Sequence, residues 1–321
     1  MRTLAILLLI ILTSCNQTTK TNEAQETDSG PLPTEPKEVY FQAISLLGDT
    51  LVAAAPSEAL LEKFVTKQKS YLANKESLDD LIWYGRFMAY TGDYKGAINI
   101  YSEGLSKWPN NTRLLRHRGH RYISIREFDK AIADLSLAAQ LIEGKENKIE
   151  EDGMPNAQNT PVSSQHGNIY YHLGLAHYLK GEMPESADAY IQALLTGSNP
   201  DNVVSATHWL YMIFRRMDNT KKAESILLPI YTDMPVIENH SYLNACLLYK
   251  EFLPLEEVYK PEDPANPSNS AIKYAVGNWY FYNGDLDKAQ EIYRLILEGD
   301  DWASFGYIAA EADMARLKEA L

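Results

Sequence analysis

Several things are scarce in this 321-residue chain, and each scarcity closes a class of explanation. Beyond the N-terminal segment the only cysteine is Cys246, and one cysteine cannot make an internal disulfide. It stands in NACLLYKEF on an apolar helix face, where a small buried hydrophobe is a better reading than a nucleophile. No apolar run reaches the roughly 18 residues that a membrane-spanning helix needs. His117, His120, His172 and His177 have no HExxH motif or cysteine pair beside them, so a metal site is not expected. No glycine-rich phosphate loop follows a strand, no GxSxG occurs, and no Ser/His/Asp set can be assembled. Neither enzymatic activity nor a cofactor is expected. Excess positive charge is missing too. A net charge of -13 and a pI near 5.0 argue against nucleic acid, where phosphate neutralisation dominates affinity.

The N-terminus is distinctive. Arg2 precedes nine uninterrupted apolar residues, Leu4 to Leu12, which is the pattern of a targeting segment rather than of a folded element. Leu12-Thr13-Ser14-Cys15 follows and resembles the bacterial lipobox. That resemblance implies cleavage before Cys15, a lipid on its sulfur, and a protein anchored to a membrane of the bacterial cell envelope on its periplasmic or surface face. The other reading is a plain secretory signal with a chance cysteine. Residues 16–36 are rich in Thr, Asn, Gln, Glu, Ser and Pro and read as a flexible tether. From 37 to 75 two amphipathic stretches suggest an N-terminal capping helical hairpin: KEVYFQAISLLGDTLVAA, then a helix capped by Ser57.

The rest of the chain is organised by repetition. Residues 78–111 and 112–143 share one 34-residue pattern: Gly85 and Gly119, Ala97 and Ala131, and Tyr101 and Leu135 are each 34 apart. Small residues at fixed offsets let two helices approach closely, the larger ones fill the space between layers, and Pro109 stops a helix. The pattern returns at 167–200, with Gly174, Gly181 and Tyr190. A weaker copy lies at about 204–237, where Tyr211 takes the small position, and a half-matching pair with a short second helix at 238–260. The last copy is 270–301, with Gly277, Gly284 and Tyr293, and 301–321 reads as a final solvating cap helix. Residues 144–166 interrupt the array as a charged, then turn-rich loop, expected to be partly ordered near the groove.

Residues 78–321 thus resemble the tetratricopeptide repeat family. The resemblance implies an all-α helical solenoid with capping helices, whose contacts run between neighbouring repeats. It also implies a task, holding a protein or peptide partner in the concave groove as an adaptor or assembly scaffold. By the family's pattern, the first helix of each repeat lines that groove. The residues placed there include Arg86 and Tyr90, Arg113, Arg116 and His120, Tyr171 and Tyr178, His208 and Arg215. A basic, aromatic groove in an acidic protein steers anions and suggests a partner of acidic character. Two alternatives stay open. The arginines could pair with acids of adjacent repeats, and the groove tyrosines could instead stack on sugar rings of a glycan. Ile82 and Arg86 depart from the Lys/Asn carboxylate clamp of some family members.

Overall fold

The computed structural model describes residues 41–197, 199–261 and 269–319. The targeting segment, Cys15, the tether and most of the proline-rich connector at 261–269 lie outside them. Among the described residues the chain forms one two-stranded sheet, β1 (Phe41–Ile44) and β2 (Thr50–Val52), and fourteen helices. The helices pair antiparallel in sequence order: α2 (Leu78–Tyr90) with α3 (Tyr94–Lys107), α4 (Thr112–Ser124) with α5 (Phe128–Ile142), α6 (Gln165–Lys180) with α7 (Met183–Thr196). The pairs α8 (Pro200–Arg216) with α9 (Thr220–Ile226), α10 (His240–Tyr249) with α11 (Leu255–Val258), and α12 (Ser270–Tyr282) with α13 (Leu286–Leu297) follow. α1 (Glu58–Ala73) precedes the stack and α14 (Phe305–Glu319) ends it.

Local chemistry explains where the helices start. Ser57, Ser77, Asp93, Asn111, Ser164, Asn199, Asn219, Asn269 and Asp285 each cap a helix through a side-chain oxygen. The turn inside a repeat needs one left-handed residue. Gly92, Gly181 and Gly284 supply it in three pairs, whereas Arg126, 34 residues after Gly92, holds the same conformation at φ 67°.

One packing unit recurs in four repeats. The side chain 16 residues after a helix glycine lies directly on that glycine: Tyr101 on Gly85, Leu135 on Gly119, Tyr190 on Gly174, Tyr293 on Gly277. A methyl group at Gly85 would stand 2.4 Å from the Tyr101 ring. These four side chains are fully buried, so the sequence period is a record of one large-side-chain-on-backbone contact, a ring in three of the four repeats.

Three expectations need correction. The expected helical hairpin at 37–75 is not formed by the described residues: 41–52 is the β1–β2 hairpin and only the second stretch, α1, is helical. Its turn runs from Ser45 to Asp49, with Gly48 at φ 97° and the Ser45 hydroxyl accepting from the Leu47 and Asp49 N–H groups. Leu46 and Leu47 in that turn imitate a helical apolar face, which masks the alternation of buried Leu51 and Ala53 around exposed Val52. Second, α14 is not a solvating cap. Tyr307 to Asp313 are all buried, because the helix lies across groove-facing positions of earlier repeats. Third, contacts do not stay between neighbours. Tyr178 on α6 hydrogen-bonds Tyr274 on α12, at 2.6 Å, and the β-hairpin is tied to the last helix.

Candidate peptide-binding face

The predicted groove residues separate into three environments. Arg86, Tyr90, Arg113, Arg116 and His120 form one cluster on α2 and α4. Tyr171, Tyr178 and His208 belong to the core. Arg215 stands apart at the far end of α8, donating to Asn283 (2.7 Å) and Tyr211 (3.0 Å) over the Tyr282 ring.

Tyr178 and His208 are closed to a partner, and Tyr171 is half-buried with its hydroxyl engaged. Tyr178 is fully buried against Trp209 and Arg216. The Tyr171 hydroxyl accepts from the Trp209 indole N–H (2.8 Å) and meets the Tyr242 hydroxyl at 3.2 Å. His208 is stacked on Tyr242, with Tyr249 beyond, and burial pulls it down to about 3, so it is neutral at pH 7. These rings were expected on an open surface. Curling of the stack brings the first helices of successive repeats together and turns groove positions into interior.

The first cluster faces the inserted loop, which is ordered and lies on it. The Glu150 carboxylate accepts from the Arg116 guanidinium and from the Asn168 amide. Although its burial alone would push this carboxyl up, the charge of Arg116, then the Asn168 and Arg116 hydrogen bonds and the Arg86 charge, hold it below its usual range. The Arg86 guanidinium donates to the Glu151 carbonyl (2.8 Å), stacks on Trp83 and reaches the Tyr90 hydroxyl. Gly153 sits on the Tyr90 ring so closely that a methyl group there would meet the hydroxyl at 2.4 Å. Arg113 pairs with Asp79 at the rim. The His120 ring lies 4.2 Å from His172 and beside Phe305. Burial first, and the neighbouring arginines second, keep His117, His120 and His172 neutral.

The far part of the same face is taken by α14. Asp313 accepts from Arg216, Arg316 and Tyr274, and Glu311 from Arg126. Acids of the chain itself therefore meet the groove-facing cations twice, once from the loop and once from the last helix. The alternative in which arginines pair with acids is what the structure shows: Arg113 takes Asp79 of the adjacent repeat, while the other acids come from the insertion and the terminal helix. The charged run Glu150-Glu151-Asp152, set opposite an arginine-rich helix that has no acid, was the available signal for this. What the face leaves open is a cavity of 650 Å³ beside the loop, whose lining includes Trp83, Arg86, Arg113, Lys145, Lys148 and His166.

No family model matches the chain, and no curated protein does. Among solved structures, the chain is similar to MamA, with 19% identity over 74% of this chain and 96% of that one and a TM-score of 0.36. YrrB, described as a TPR protein with an unusual peptide-binding site, gives 15% identity, 79% and 98% coverage, and a TM-score of 0.40. BtubC from P. vanneervenii gives 15%, 82% and 90%, and 0.42. Scores this low carry no assignment by themselves. The paired capped helices, the 34-residue spacing and the recurring glycine contact show an all-α helical solenoid of stacked hairpins.

Proposed function

We propose that this protein is a non-enzymatic scaffold that holds a partner protein through an acidic segment on the α2–α4 face. Residues 1–15 and Cys15 would place it on a membrane of the bacterial envelope by a lipid anchor. One observation carries the binding reading: the face already holds an acidic peptide, Glu150 to Gly153, with a carboxylate on Arg116 and Asn168 and a carbonyl on Arg86. Paired guanidinium forks suit carboxylates and extended backbone alike. The 650 Å³ cavity beside that segment supplies the space for a second chain; its lining mixes Arg86, Arg113, Lys145 and Lys148 with Asp79, Glu146, Glu150 and Glu151.

The test is fluorescence anisotropy of the full-length protein against an array of acidic decapeptides, with lysine-rich peptides as controls. Acidic peptides should bind, should weaken as salt approaches about 1 M, where screening acts over about 3 Å, and should be lost with Arg86→Ala/Arg113→Ala. Binding that ignores salt and survives the double change would sink the reading.

A further inference from the structure

We infer that the partner of this face is a linear acidic segment that takes the place of the chain's own Glu150–Gly153 strap, and that the strap must leave for it to bind. This rests on the reading just proposed and adds what the partner resembles and what it competes with.

The strap is held as a ligand would be. Its backbone is extended at Ile149, which bridges Ser164, while the Glu150 N–H donates to Ser163 (3.0 Å) and the Gln165 N–H to Lys148 (2.8 Å). Its side-chain anchors are one carboxylate, on Arg116 and Asn168, and one small residue, Gly153, on the Tyr90 ring.

It also fills the site incompletely. Arg116 is buried, and its Nε has no partner. The Asp152 carboxyl is left with a buried oxygen that no donor reaches; burial, then the Glu238 charge, push it up. Arg121, on the same cavity wall, lies against the Tyr94 ring, and no carboxylate among the described residues pairs with it. A cavity of 180 Å³ separates these groups, with Arg86, His120 and His172 also on its wall. A guanidinium enclosed by protein without a counter-charge is costly, and so is an unpaired carboxyl. The strap's apolar side chains contribute little, since Ile149 is 62% and Met154 57% exposed.

α14 makes the contrast. Its Glu311 and Asp313 side chains are each 1% exposed, each is held by an arginine, and Tyr307 to Ala310 are buried beside them. α14 is a permanent part of the fold; the strap is the exchangeable one. The better ligand is therefore an extended segment with an acid in the place of Glu150, a small residue over Tyr90, and a second acid long enough to reach Arg121. An internal occupant lowers the apparent affinity of such a segment by the fraction of time the site is open.

The test uses a fluorescein-labelled peptide of the strap sequence, KIEEDGM, added to full-length protein. Glu150→Gln in the protein weakens the internal competitor and should raise the affinity of the probe about tenfold, the loss of one charge-assisted contact. Arg116→Gln should abolish binding in both backgrounds. Hydrogen exchange on the unaltered protein gives a second reading: saturating probe should strip protection from the Glu150 and Gln165 amides. Equal affinity for the parent and Glu150→Gln, retained binding with Arg116→Gln, or unchanged amide protection would each overturn the inference. If array peptides bind through Arg86 and Arg113 while the probe ignores Glu150→Gln, competition falls and the scaffold reading stands. If no acidic peptide binds either protein, both fall.

Discussion

Arg126 holds a left-handed backbone at the position where the preceding repeat has Gly92, and its guanidinium grips the Glu311 carboxylate through Nε (3.1 Å) and Nη2 (2.6 Å). The same side chain donates to the carbonyls of Ser124 and Trp302. A non-glycine residue in this region is unfavourable locally, so the conformation is kept by what the side chain does.

Arg126→Gly tests that balance. It relieves the backbone and strands a buried carboxylate, for which breaking a buried pair costs about 3–5 kcal/mol. Urea denaturation should show a net loss of stability of that order, and Arg126→Lys should not restore it, because the fork that reaches four oxygens is gone. A gain in stability from Arg126→Gly would show that the pair contributes less than the strain.

The glycine–ring unit gives a second prediction. Gly85→Ala places a methyl group 2.4 Å from the Tyr101 ring, so the ring must shift. The cost should be about 1–3 kcal/mol, typical of overpacking. Adding Tyr101→Ala should make the two effects markedly non-additive in a double-mutant cycle. Simple additivity would mean that the ring relaxes away freely.

Acid should act through four histidines. His172 and His208 are pulled down to about 3, and His117 and His120 well below their ordinary value, by burial first. At His172 and His208 the unfolded chain binds more protons than the folded one between about 3 and 6.5, and the lowered His117 and His120 act in the same direction below 6.5, so stability rises with pH. It is full above about 6.5 and declines below it, each fully titrating histidine contributing about 1.4 kcal/mol per pH unit. Glu150 and Asp313, held low by arginines, add loss in the same direction at lower pH. His172→Asn should flatten the slope of unfolding free energy between pH 5 and pH 6 by about one such unit; an unchanged slope would mean that His172 already titrates normally.

Cys246 is fully buried, and burial raises its thiol well above the ordinary range. Alkylation at this residue, followed by mass spectrometry of its peptide, should track global unfolding in denaturant. Prompt labelling in native buffer would contradict the packing of α10 against α8.

The repeat period was legible in the sequence because it is local: a glycine, a ring 16 residues later, and a cap residue before each helix are short-range signals. The environment of the groove was not. Whether Tyr178 faces solvent depends on how tightly the stack curls, which places it against Tyr274, 96 residues away. The seating of Glu150 on Arg116 spans 34 residues and passes through a loop with no periodicity. The chemistry of the cluster, arginine with carboxylate, followed from composition; which carboxylate did not. The β-hairpin was hidden for a different reason: two leucines in a five-residue turn carry no information about direction.

An open stack of repeats can fray, shedding its outermost units one at a time because each touches only its neighbours. Here the first described strand pair and the last described helix are clasped together, the Leu46 N–H on Glu311 (2.7 Å) and the Trp302 indole on the Val52 carbonyl (2.7 Å). Neither boundary unit can peel without releasing the other. Unfolding should therefore be a single concerted event, a tension-bearing loop rather than a ladder.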